Sequence, residues 1–287
     1  MGRGILLVLL ANLLFSFVDT STKWLIGTGV VFLQLAFMRY AVHFAITFLE
    51  RLWRGKPAAR MPRDVLGLVL LRSFCLVSST LVNFFALGYL SLAVTSAILY
   101  LAPVFVCLFA RVLLDEPIRA AHVVSLGFGL LGVSLILWPA GEPMNWYAVL
   151  MLYPAMGMAM YQVLTRKLTT QVKPGVLQFY TGAMGTVALA PLAAFNWVTP
   201  DTGLGWGLLL AIGAFAWAGH EALTRAHAHA NASTLAPFGY SFVIYLTLAG
   251  MIIFGTVPQW NVIVGAALIF VGGMYIWHRS RLGATGG

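Results

Sequence analysis

Five ionisable side chains interrupt stretches that are otherwise almost wholly apolar: Asp19, Lys23, Arg39, Arg72 and Glu221. Charges in such surroundings are costly, and they are kept when they pair, face a cavity or do chemistry. Asp19 and Lys23 stand four apart with the acid first, the favourable order for an ion pair along one helix. The spacing predicts that they neutralise each other near the end of the first apolar stretch; turned inward, Lys23 would instead meet a substrate carboxylate. Arg39, with His43 one turn later, reads as structural, and Arg72 as a side chain that snorkels to the nearest polar surface. Ser79 and Asn83 share a helical stripe with Arg72. At mid-depth they cannot face lipid cheaply, so they line water or bond a neighbouring helix.

Three prolines add a second signal. Tyr100 with Pro103, Tyr153 with Pro154, and Pro237 with Tyr240 and Tyr245 each set a phenol beside a residue that frees a backbone carbonyl. Such irregularity is tolerated only where protein or a cavity satisfies the freed group. A tyrosine offers a ring face and a hydroxyl, which suits a zwitterion with an apolar side chain. The candidate substrate-binding residues are therefore Ser79, Asn83, Tyr100, Tyr161, His220 and Tyr240.

Catalysis finds little support. His220-Glu221 begins like a zinc-binding HExxH, but the second histidine's place is taken by Thr224. Glu221 is expected to pair with Arg225, and His227 and His229 would point to different faces of a helix. Cys75 and Cys107 read as small buried hydrophobes. No nucleophile with a base, paired carboxylates or metal cluster can be assembled at mid-depth, so no enzyme activity, cofactor or metal is expected. A channel would need a selectivity ring, and the polar residues are scattered.

The elements that must position these residues are apolar runs of about 20 residues, the length of a membrane helix. Spans one to ten fall near 4 to 26, 31 to 50, 65 to 87, 92 to 113, 119 to 138, 145 to 165, 175 to 195, 205 to 225, 234 to 254 and 259 to 277. Of the 17 lysines and arginines, 14 lie at the termini or in the even-to-odd connections, and none lies in the five connections opposite. That bias predicts both termini in the cytoplasm of a multi-pass protein of a bacterial-type inner membrane. Charged residues are 9% and hydrophobic ones 61%, which leaves no room for a soluble domain. The net charge of +9 follows from the same short loops beside anionic lipid, so a nucleic-acid partner is not expected. The first span reads as a retained helix and not a cleaved leader.

Five spans and five spans would set a duplicated unit in opposite orientations, with residues 1–140 and 141–287 as the halves. Pro117 and Gly132 after span four are echoed by Pro258 and Gly273 after span nine. Asp19-x-x-x-Lys23, Arg39, the run FFALGYLSLAVTSAILYLAPVF from Phe84 to Phe105, LLDEPI around Glu116, GVSLILWP, and LAPFGYSFVIYLTLAGMIIFGTVP from Leu235 to Pro258 carry a resemblance over nearly the full length. The chain resembles the EamA-type members of the drug/metabolite transporter superfamily. That resemblance implies an all-α membrane protein, with ten transmembrane helices in two inverted five-helix repeats around a central cavity. It also implies alternating-access export of small metabolites. Where the family often has an acid before the proline after span nine, this chain has Val257, so Glu116 has no counterpart and reads as a loop and helix-end anchor.

In-span charges sum to +1, and Asp19 is expected to be neutralised by Lys23, which argues against a cationic drug as substrate. A neutral or zwitterionic metabolite fits better. Among family members the aromatic candidates look most like the YddG-type amino-acid exporters; nucleotide-derived or vitamin-like compounds are the alternative. The expected partners are a small-molecule substrate and the lipid bilayer, with the chain acting as a monomer. For want of an unpaired acid, transport is expected to run mainly down the substrate gradient.

Overall fold

The computed structural model describes residues 2–55, 63–90, 98–99, 101–137, 146–254 and 260–282. Among these residues all regular structure is helical: α1 Gly2–Gly27, α2 Phe32–Trp53, α3 Arg63–Ala86, α4 Ala102–Leu113, α5 Ala120–Leu137, α6 Trp146–Leu150, α7 Leu152–Leu168, α8 Pro174–Ala194, α9 Gly203–His229, α10 Ala232–Leu235, a 3-10 turn Ala236–Tyr240, α11 Ser241–Phe254 and α12 Trp260–Leu282. Among the described residues six segments are long and apolar enough to cross a membrane: α1, α2, α3, α8, α9 and the run Ala232–Ile253 through α10 and α11. Ala102–Leu113, Ala120–Leu135 and Ile263–Arg279 are shorter apolar helices.

The distribution of polarity is that of a protein solvated by lipid. Leu6, Val187, Ile252 and Phe270 are 65 to 82% exposed, whereas Gln34, His43, Arg72 and Gln178 are fully buried. In water that arrangement would be strongly unfavourable; in a bilayer the apolar side chains lose nothing by facing outward and the polar ones find partners inside.

Packing follows a simple rule. α1 lies along α9, α3 along α7, α2 along α8 and α5 along α12, with further contacts of α2 with α9, α3 with α8, α1 with α11 and α4 with α7. Numbered by span, these pairs are 1–8, 3–6, 2–7, 5–10, 2–8, 3–7, 1–9 and 4–6, and exchanging each span for the one five places away returns the same set. Small residues permit the closest approaches. A side chain on Gly185 would occupy the space of the Tyr40 ring, and one on Gly157 that of the Ser79 hydroxyl.

The spans bearing Pro154 and Pro237 are broken where expected, and Pro103 stands at a helix start. Helix α4 starts after Leu101 with Pro103 in its first turn, α6 and α7 are separated at Met151 just before Pro154, and Pro237 lies in the 3-10 turn ahead of α11. The Asn12 side-chain amide donates to the Phe238 carbonyl at 3.0 Å and to Ser241 Oγ at 2.9 Å, so α1 satisfies a carbonyl in the irregular segment.

Candidate functional site

A cavity of about 150 Å³ lies between α1, α2, α3, α4, α7, α9 and the broken ninth span. Its walls are mainly apolar, with Phe15, Leu99, Pro103, Met158, Leu223 and Phe242. Its polar groups are Asn12, Asp19, Arg39, Ser79, Asn83 and Gln162, together with Thr80. Helical periodicity explains their convergence: Val8, Asn12, Phe15 and Asp19 form one stripe of α1, Ser79 and Asn83 one of α3, and Pro154, Met158 and Gln162 one of α7.

Ser79 and Asn83 face this cavity as polar atoms awaiting a partner. Ser79 Oγ and Asn83 Oδ1 are buried and bond nothing among the described residues. Leaving such groups unsatisfied costs about 1–3 kcal/mol each, which a bound ligand or water would recover.

The ion pair expected between Asp19 and Lys23 is absent. The ion pairs among the described residues are Glu50–Arg54, Glu116–Arg166 and Glu221–Arg225. Lys23 is exposed at the helix end, while Asp19 lines the cavity opposite Arg39. A long lysine stem near a membrane surface gains more from hydration than from a half-buried partner.

Arg39 heads a hydrogen-bond chain through four helices. Its Nη2 donates to His220 Nε2 at 2.9 Å, and its guanidinium lies 5.7 Å from the Phe84 ring centroid. Because arginine only donates, His220 Nε2 must accept, which places the ring proton on Nδ1, facing the Tyr161 oxygen at 3.1 Å. The same oxygen accepts from Arg72 Nη2 at 2.8 Å. Arg72 does not snorkel. It is fully buried and also donates to Thr165 Oγ1 at 2.7 Å, Thr181 Oγ1 at 2.9 Å, Thr224 Oγ1 at 3.3 Å and the Leu177 carbonyl at 3.4 Å. Acceptors on α7, α8 and α9 thus replace the water that snorkelling would have provided.

Of the residues anticipated as a substrate site, Ser79 and Asn83 meet in the cavity. Tyr161 and His220 lie behind its wall, in the chain from Arg39 to Arg72. Tyr240 is buried in a separate apolar cluster with Val106, Leu126 and Ile269, its ring against Gly129. Tyr100 lies outside the described residues. Asn12, Asp19, Arg39 and Gln162 also line the cavity and were not anticipated as binding residues; the spacing of Asn12 and Asp19 on one stripe was the available signal.

Glu116 anchors as expected. Its carboxylate accepts from the Ala232 and Ser233 amides at 3.1 and 2.9 Å and from Ser233 Oγ at 2.6 Å, capping α10, while Arg166 stands 3.9 Å away. Arg166 also donates to the His227 carbonyl and Asn231 Oδ1. These bonds tie the connection after α4, the end of α7 and the start of span nine together at one end of the bundle.

An apolar-surfaced helical bundle with polar groups gathered in a central cavity is the form of a membrane solute carrier. The chain belongs to the EamA-like transporter family, whose profile matches residues 2–138 and 145–277. It is 30% identical to a pseudopaline exporter of Pseudomonas aeruginosa over 93% of each chain. A riboflavin transporter of Brucella anthropi is 28% identical, over 91% of this chain and 94% of the relative. An S-adenosylmethionine uptake transporter of Rickettsia prowazekii is 23% identical, over 97% and 94%. A crystal structure with 21% identity superposes with a TM-score of 0.83 over 98% of both chains, which is a likeness of fold.

Proposed function

We propose that this protein exports a small zwitterionic metabolite, an amino acid or a close derivative, across a bacterial-type inner membrane by alternating access. The observation that carries this reading is the presence of one carboxylate and one guanidinium, Asp19 and Arg39, in the same largely apolar cavity. An ammonium group finds its counter-charge in Asp19, a carboxylate finds a bidentate donor in Arg39, and an apolar side chain finds Phe15, Met158 and Phe242. Ser79 and Asn83 supply uncharged hydrogen bonds.

The working unit in this reading is ten helices in two inverted halves, 1–140 and 141–287, acting as a monomer with both termini in the cytoplasm. Two findings support the halves: the family profile matches twice, and the eight principal helix pairs form the same set when the halves are exchanged. The cavity at their junction is where inverted-repeat carriers bind substrate. The loop charge bias supports the orientation.

A second reading, a vitamin-like or nucleotide-derived metabolite, is favoured by the riboflavin and S-adenosylmethionine transporters among the relatives. Counterflow in proteoliposomes with labelled amino acids, riboflavin and S-adenosylmethionine separates the two. Exchange of at least one zwitterionic amino acid is expected. Exchange of riboflavin alone would overturn the first reading in favour of the second.

A further inference from the structure

We propose that Gly219 sets the size of the substrate side chain that the carrier accepts, by seating the Phe15 ring against the backbone of α9 and so keeping it out of the cavity. This rests on the zwitterion reading of the same cavity and adds the residue that decides how large the apolar part of the substrate can be.

Phe15 lines the cavity, and its ring edge lies directly over Gly219: a Cβ there would stand 2.7, 3.0 and 3.1 Å from three of the ring carbons. Ordinary contact between carbons is about 3.5–4.0 Å, so any side chain at 219 requires the ring to move by about 1 Å. His220, the next residue, closes one way out, since it packs on the Phe15 ring with centroids 4.7 Å apart. It cannot yield, because Arg39 holds its Nε2 at 2.9 Å and the Tyr161 oxygen faces its Nδ1 at 3.1 Å. Nor can the two helices part to make room. Near the start of α1 a Cβ on Gly4 would stand 3.3 Å from the Ala226 carbonyl oxygen, and beyond Phe15 the Phe17 and Phe215 rings meet with centroids 5.5 Å apart. The free space beside the ring is the cavity of about 150 Å³.

Helix energetics point the same way. Glycine inside a helix is less stable than alanine, so its presence at 219, in the middle of α9, calls for a steric reason, and the Phe15 ring supplies one. A side chain at 219 would push a rigid ring into the space shared with Met158 and Phe242, where the apolar part of the substrate sits. Room for a single methylene in an apolar pocket separates substrates by about 10- to 200-fold. Gly219 itself touches no substrate in this account; it acts by positioning Phe15.

The test uses the full chain in proteoliposomes, with counterflow of labelled alanine, phenylalanine and tryptophan. Gly219→Ala should lower the apparent affinity for phenylalanine relative to alanine by about tenfold or more. Adding Phe15→Leu to Gly219→Ala replaces the displaced ring with a smaller side chain and should return that ratio toward the wild-type value. Phe15→Leu alone should shift the preference the other way, raising tryptophan relative to phenylalanine by about tenfold. A uniform loss for all three amino acids in Gly219→Ala, or a ratio that Phe15→Leu does not restore, would make Gly219 a packing residue and overturn the size limit while leaving the transport reading in place. If Gly219→Ala does not fold, Phe15→Leu alone decides, and an unchanged ratio of tryptophan to phenylalanine overturns the proposal. A wild-type protein that exchanges none of the three would instead remove the substrate reading, and this proposal with it.

Discussion

Replacing Tyr161 by phenylalanine removes one oxygen from the chain between the two buried arginines and leaves the ring in place. The side chain is fully buried, so neither partner can turn to water. The hydroxyl accepts from Arg72 at 2.8 Å and meets His220 Nδ1 at 3.1 Å. A hydrogen bond from a charged donor is worth about 1.5–3 kcal/mol and a neutral one about 0.5–1.5 kcal/mol, so the loss should be about 2–4 kcal/mol. It should fall below the cost of stranding a buried charge, because Arg72 keeps Thr165, Thr181 and Thr224. No void of consequence is created, since the ring remains. By the scaling of large domains, this corresponds to a melting midpoint lower by roughly 5–15 °C. Thermal unfolding of the purified protein in detergent, followed by intrinsic fluorescence, measures it. Phenylalanine affinity should change by less than about twofold, far below the effect of losing a direct hydrogen bond, because Tyr161 stands behind the cavity wall. An unchanged midpoint with greatly weakened substrate affinity would reverse the reasoning: Tyr161 would then touch substrate and not hold Arg72.

Three further outcomes follow from the same geometry. Glu116→Ala strands two amides at the start of α10 and should destabilise by about 2–4 kcal/mol, whereas Glu116→Gln, which keeps one acceptor oxygen, should lose about half as much; equal midpoints for all three proteins in thermal unfolding would refute the capping role. Asn83→Ala should weaken apparent substrate affinity by roughly two- to tenfold, the value of one uncharged hydrogen bond, with folding intact because its Oδ1 has no partner among the described residues; saturation curves identical to wild type would make Asn83 a packing residue only. Reporter fusions after Lys173 and at the C-terminus should be cytoplasmic and one in the loop from Pro200 to Gly205 periplasmic, and a periplasmic C-terminus would remove the topology.

Local chemistry was legible where its consequence is local. The prolines at 154 and 237 announced broken helices because a missing N–H acts on its own turn. Ser79 and Asn83 could be placed in a cavity because a shared stripe is a property of one helix. The partners of Arg72 could not be read this way. They lie 89 to 152 residues away, on three helices whose packing is set by shape. The i to i+4 rule misjudged Asp19 and Lys23 for a related reason: it describes a uniformly solvated helix, whereas here one side chain faces a cavity and the other the exposed helix end. Tyr161 and His220 were singled out as substrate-binding candidates; the partners they find behind the cavity wall, Arg72, Arg39 and each other, lie on helices whose packing the sequence does not show.

The central claim is that Asp19 and Arg39 bind the two charges of one substrate, and competition by charge-deleted analogues tests it most directly. Against exchange of labelled phenylalanine in proteoliposomes, 2-phenylethylamine lacks the carboxylate and 3-phenylpropionate lacks the ammonium group. Each should compete roughly 10- to 150-fold more weakly than phenylalanine, the cost of one charge-assisted hydrogen bond of about 1.5–3 kcal/mol. Arg39→Gln should erase the difference between phenylalanine and the amine, and Asp19→Asn that between phenylalanine and the acid. Analogues that compete as well as phenylalanine, or a discrimination untouched by both substitutions, would contradict the account.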